Sequence, residues 1–158
     1  VSEYLHWLEH STWATAIRQS LWMYPALEII HILGIVLLVG AAILFDLRLL
    51  GFSKNLPLSA MSRFLLPWSQ RGLILVIPSG LLLFITNAET LGLDPVFRLK
   101  MVLLIAAALN ALIFHKFVFK RQFDLENPSG HSLHFKIPAL VSMAVWIAVI
   151  ICGRLLAY

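Results

Sequence analysis

The sequence predicts an all-α fold: a four-transmembrane-helix bundle preceded by an amphipathic helix lying in the membrane interface. Three observations carry this expectation. The 158 residues are 60% apolar and only 13% charged, and the mean hydropathy is +0.88. A soluble domain of this size has too much surface for its volume to hide that apolar content. The apolar residues gather into four segments, each near the roughly 20 residues that cross a bilayer as a helix. The basic residues flank those segments instead of forming a patch. The net charge of +4 and a pI near 9.6 therefore point to membrane insertion and not to nucleic acid.

Residues 1–20 place Tyr4, Leu5 and Leu8 on one side of a helix and Glu3, His6 and His10 on another. With Trp7 and Trp13, this pattern predicts a helix in the interface plane. No basic segment leads into a short apolar core, so no cleavable signal peptide is expected. The first span is expected over 21–45, anchored at its start by Trp22 and Tyr24, with Pro25 in its first turn where a missing backbone donor does least harm. A polar loop follows, and the second span is expected over 64–86. Pro78, Ser79 and Gly80 interrupt it at mid-depth and predict a kink or a local break in hydrogen bonding. The third span is expected over 101–119, after Arg98 and Lys100. A polar loop from Lys120 to His134 with the turn signal Asn127-Pro128-Ser129-Gly130 comes next, and the fourth span is expected over 137–156. Residues 1–158 read as a single membrane domain without internal repeats.

Orientation follows from basic residues. Arg48, Lys54, Arg63, Lys116, Lys120, Arg121 and Lys136 lie on one side, seven in all, against four on the other: Arg18, Arg98, Lys100 and Arg154. The richer side is expected to be cytoplasmic, which places both termini in the periplasm of a bacterial inner-membrane protein.

An ionisable group inside hydrocarbon is costly unless paired or coordinated, so each one is a functional candidate. Glu28 and His31 lie three apart near the start of the first span. Gly34 and Ala41 continue the His31 face, and small residues admit either a flat ligand or another helix. His31 is thus compatible with axial ligation of haem, and equally with close packing around a hydrogen-bonded histidine. His115 lies near the opposite end of the third span. At about 1.5 Å per residue the two histidines differ in depth by roughly 15–20 Å, so one haem cannot join them. The partners available to His31 are His6 or His10, or an open coordination position; His131 or His134 would serve His115. His6 and His10 are spaced i,i+4, which also suits zinc or copper with Glu9, Glu28 or Met23. Arg154 is expected at the level of Glu28, able to pair with it or with a haem propionate, and Arg18 is a second propionate candidate. Asp46 and Arg71 are expected to pair, and Asn110 and Ser142 to bond between helices. The single cysteine, Cys152, excludes an internal disulfide and a cysteine-based metal cluster. No phosphate-binding glycine loop, HExxH or nucleophile elbow is present, so hydrolytic chemistry is not expected.

The run Pro25-Ala26-Leu27-Glu28-Ile29-Ile30-His31, continuing to Asp46-Leu47-Arg48-Leu49-Leu50-Gly51, resembles a family of uncharacterised bacterial four-helix inner-membrane proteins. Trp7-Leu8-Glu9, Ile17-Arg18-Gln19-Ser20, Asn110 with Phe114-His115, and Gly153-Arg154 with Ala157-Tyr158 fit the same pattern, so the likeness covers nearly the whole chain. His6 and His10 are not part of it. The layout is more loosely similar to four-helix b-type cytochromes and copper-resistance membrane proteins.

Three functions are consistent with these residues. The first is a haem b protein passing electrons between quinol and a periplasmic redox partner, with His31 as principal ligand. The second is a cofactor-free assembly or binding subunit that docks on another membrane subunit. The third is a copper- or proton-handling transporter using Glu28, His31 and the Pro78–Gly80 kink.

Overall fold

The computed structural model describes residues 2–52, 55–119 and 132–156, with the backbone alone at 117–119 and 132–135. Seven helices occur among the described residues: α1 (Ser2–Glu9), α2 (Thr12–Gln19), α3 (Met23–Leu49), α4 (Leu58–Thr86), α5 (Ala88–Leu93), α6 (Pro95–Phe119) and α7 (Ser132–Leu155). Four of them, α3, α4, α6 and α7, are long and apolar enough to cross a membrane. At about 1.5 Å per residue, the 27 residues of α3 extend about 40 Å, beyond the roughly 30 Å of a hydrocarbon core. Their outward faces are bare aliphatic surface, with Ile32, Ile74, Val102 and Ile151 each more than half exposed. That surface has lipid as its natural solvent. The chain is a membrane-protein bundle.

The expected interfacial helix is two helices. The chain breaks at His10–Ser11, where the Ser11 hydroxyl accepts from the Ala14 amide and caps α2. An N-cap serine supplies an acceptor that the first turn of a helix lacks, and so favours restarting the helix there. Ala14 and Ile17 are buried beneath α2, while Tyr4, Trp7 and Trp13 are exposed. Both helices pack on the end of the bundle formed by the start of α3, the end of α4 and α5. We call this the proximal end and its opposite the distal end.

Three helices start earlier than the hydropathy pattern implies, and α4 begins at Leu58, ahead of the expected 64. Asp94 accepts from the Val96 and Phe97 amides at 2.7 and 3.2 Å. With Pro95 in the first helical position, this cap begins α6 six residues before the expected Met101. Arg98 and Lys100 are therefore helical. α7 begins at Ser132, ahead of the expected 137. α4 is a continuous helix through Pro67 and Pro78, so the expected interruption at 78–80 does not break it. α3 ends in the turn that gives the Asp46–Gly51 run its final glycine. Gly51 has φ 105, its amide donates to the Arg48 carbonyl, and the Phe52 amide donates to the Leu47 carbonyl. This is the Schellman pattern, which requires a left-handed residue.

The spans form an arc. α3 packs on α4, α7 on α3, and α6 on α7, while among the described residues α4 and α6 do not pack along their lengths. They meet at the proximal end, where Phe84 and Phe97 stack with centroids 5.2 Å apart. The tightest seam is α3 on α4. A Cβ on Gly72 would lie 2.6 Å from the Leu38 nitrogen and 2.7 Å from the Gly34 oxygen. Small residues here let two backbones touch.

A polar cluster shared by the four spans

His31 stands eight residues into α3, and Ser79 of α4 is its partner: Nδ1 lies 3.0 Å from the Ser79 hydroxyl oxygen. That hydroxyl already donates to the Leu75 carbonyl one turn back in its own helix. It is left as an acceptor toward the imidazole, which assigns the proton to Nδ1 and the ring lone pair to Nε2. Gly80 makes this approach possible, since a Cβ there would lie 2.9 Å from His31 Cε1. The Pro78-Ser79-Gly80 run therefore serves to receive the imidazole.

Lys100 reaches the same level from α6. It is half-buried, and its charge and that of His31 act on each other. Its Nζ lies 3.7 Å from where a Cβ on Gly153 of α7 would be, and Cys152, buried in α7, is its other electrostatic neighbour. All four spans thus contribute to one group of His31, Ser79, Lys100 and Cys152. Nearer the proximal end, Tyr24 lies beside Glu28 and bonds the side chain of Asn87. Glu28 itself is exposed.

The remaining candidates lie elsewhere. His6 and His10 bond each other through Nδ1 at 2.8 Å, and His10 Nδ1 donates to the His6 carbonyl. Glu89 of α5 lies 4.0 Å from His6. The pair is exposed on the proximal surface, and Glu9, a suggested co-ligand, is held by Arg18 at 3.2 Å. Among the described residues no group of three or more His, Cys, Asp or Glu is arranged to hold a metal ion. Arg18 also donates to the Thr86 carbonyl at 3.3 Å and to the Glu9 carbonyl, so it ties the N-terminal helices to α4. Arg154 is exposed and follows Gly153, at the level of the Lys100 ammonium. His115 is exposed on α6, next to Phe114, whose ring meets Phe45 with centroids 5.8 Å apart. His31 precedes Phe45 by 14 residues, or about 20 Å of helix, so His31 and His115 do lie at different depths. His131 and the His134 side chain lie outside the described residues.

The Gly34–Ala41 face, expected to admit either a flat ligand or another helix, takes a helix: a Cβ on Gly34 would lie 2.8 Å from Val76 Cγ2 of α4, and Ala41 is buried. One expectation needs correction. Asp46 does not pair with Arg71. Gly72 faces α3, which turns its neighbour Arg71 outward, 4.8 Å over the Trp68 ring, while Asp46 is buried with Ser142 of α7 as its partner. Sequence reasoning missed Lys100 by reading it as a flanking charge. The Asp94-Pro95 start signal would have placed it in the second turn of a helix. Ser79 was read as part of a kink, and only the pairing of α3 with α4 shows its partner.

Residues 4–158 match the model of DUF6644, a family of unknown function, and the chain belongs to that family. No curated protein and no solved structure matches it.

Proposed function

We propose that this is a haem b protein of the bacterial inner membrane that passes electrons between quinol and a periplasmic redox partner. The observation that supports the reading most is the His31–Ser79 bond. Metal-bound histidines typically donate their other ring N–H to a fixed acceptor, which sets the tautomer and the ring orientation. His31 has that arrangement through Nδ1 and Ser79, inside a membrane bundle. Lys100 and Arg154 supply positive charge at the same level for propionate groups. The donor set would hold a haem through His31 alone, and the Gly34 face, closed by α4, would take no part in it. Haem supplies one-electron chemistry at a potential set by its axial ligand and surroundings. The protein's part is to orient the imidazole through Ser79 and to balance anionic groups with Lys100 and Arg154.

The sequence split of seven basic residues against four supports a periplasmic proximal end with both termini on that side. In that orientation His31 would stand on the side of a periplasmic partner. The looser likeness of the layout to b-type cytochromes agrees with this reading. A cofactor-free docking subunit is favoured by one feature, the bare flank of α6, which is the least buried of the four spans.

A reduced-minus-oxidised absorption spectrum of detergent-purified protein, made with ample haem, with metal analysis of the same sample, decides between them. Haem b bands with near-stoichiometric iron, lost in His31→Ala and retained in His115→Ala, are expected. A featureless spectrum without iron would refute the proposal and favour the docking subunit. Copper in the sample would favour metal transport.

A further inference from the structure

A second polar site lies toward the distal end, and the haem reading makes no use of it. Asp46 is three residues from the end of α3 and 7% exposed. The Ser142 hydroxyl of α7 bonds the carboxyl, but Asp46 Oδ2 is fully enclosed and has no hydrogen-bond partner. A serine has one hydrogen to give, so it satisfies one carboxylate oxygen and leaves the other bare. Among the described residues none hydrogen-bonds that oxygen. On α3, Arg48 gives its Nε to the Leu56 carbonyl at 2.8 Å. On α4, Arg71 lies over Trp68 and Arg63 is exposed. On α7, Lys136 precedes Ser142 by six residues. On α6, His115 is exposed, and Asn110 gives its Nδ2 to the Pro138 carbonyl at 3.3 Å. An ionised carboxylate enclosed with one serine is far more costly than a neutral carboxyl in the same place.

We propose that Asp46 is a proton-binding site whose Oδ2 takes up a proton from the basic, distal side of the bundle and holds it with Ser142 as partner. A proton is the cation this geometry suits. Calcium and magnesium need six or more oxygen ligands, whereas here one carboxyl and one hydroxyl converge. The site rests on α3 and α7 alone, 15 residues from His31, and stands whether or not haem is bound.

The test is infrared spectroscopy of the full chain in lipid nanodiscs at neutral pH, paired with labelling by dicyclohexylcarbodiimide. The reagent adds across its C=N bond to a protonated carboxyl. The acid proton moves to nitrogen and the acylisourea rearranges to a stable N-acylurea, with no other reactant. A protonated-carboxyl carbonyl band is expected in the wild type, lost in Asp46→Asn and shifted in Ser142→Ala. Peptide mass spectrometry should find the adduct on Asp46, with labelling declining as pH rises. The labelling needs no variant, so it stands even if Asp46→Asn fails to assemble. Absence of the band together with an unlabelled Asp46 overturns the proposal. Protection of Asp46 by sodium or potassium overturns it too, by showing a metal cation in the proton's place.

Discussion

The seam between α3 and α4 sets the position of His31, and Gly72→Ala is the sharpest test of that dependence. The added methyl carbon would lie 2.6 Å from the Leu38 nitrogen, 2.7 Å from the Gly34 oxygen and 3.0 Å from Leu38 Cα. All three are backbone atoms, so no side-chain rotation relieves the overlap. Ordinary contact begins at 3.4 Å, so the helices must part by 3.4 less 2.6, or about 0.8 Å. Overpacking of this kind costs about 1–3 kcal/mol. Ser79 is two turns along α4 from Gly72, and its 3.0 Å bond to His31 must stretch as the seam opens. Gly40→Ala is the matched control, because nothing lies within 4 Å of its Cβ position and it carries the same change in helix propensity. In mixed-micelle equilibrium unfolding followed by circular dichroism, Gly72→Ala should be about 2 kcal/mol less stable than Gly40→Ala, roughly a 30-fold change in the unfolding constant. If the two alanine variants agree within about 0.5 kcal/mol, the close backbone contact is not a determinant of the bundle.

Three further outcomes follow from the same geometry. Ser79→Ala removes the acceptor that fixes the His31 tautomer, and should weaken haem retention about 10–100-fold, measured by transfer to apomyoglobin; unchanged retention would separate Ser79 from the site. Arg18→Ala should free α1 and α2 from α4, because it removes the Glu9 ion pair and the bond to Thr86. The pair is partly exposed, so the stability loss should be only about 1 kcal/mol, yet proteolysis near His10–Ser11 should quicken while the spans stay intact. Gly51→Ala forces a side chain into the left-handed region at φ 105 and should cost about 1–2 kcal/mol in the same unfolding assay; wild-type stability would argue against the Schellman turn.

Much of the fold was legible because lipid imposes a simple rule: a span must be long, apolar and helical. The four spans and the different depths of His31 and His115 followed from that rule and from helical rise alone. Helix starts were less legible, because hydropathy registers where polar residues end and caps decide where helices begin. Asp94-Pro95 carried the α6 start in plain sight, and with it the position of Lys100. The partners of His31 and Asp46 were not legible at all. A single-chain pattern shows that Gly34, Gly72 and Gly80 are small but not which backbone fills the space beside them. Arg71 was assigned to Asp46 by depth alone, and depth leaves the helix face undetermined.

The two polar sites share a logic that links fold to function. His31 with Ser79 and Asp46 with Ser142 each set a titratable group of α3 against a hydroxyl on a neighbouring span, one at each end of the helix. Between them α3 presents Gly34, Leu38, Val39 and Ala41, all buried, along about 22 Å of helix. Such a seam offers no polar path, so a proton held at Asp46 cannot reach His31 along α3 without a change in packing. Electrons do not need such a path, whereas protons need hydrogen-bonding groups or water. If both proposals hold, any coupling between the two sites is electrostatic or conformational, and α3 and α7, which contribute to both, are the elements that would carry it.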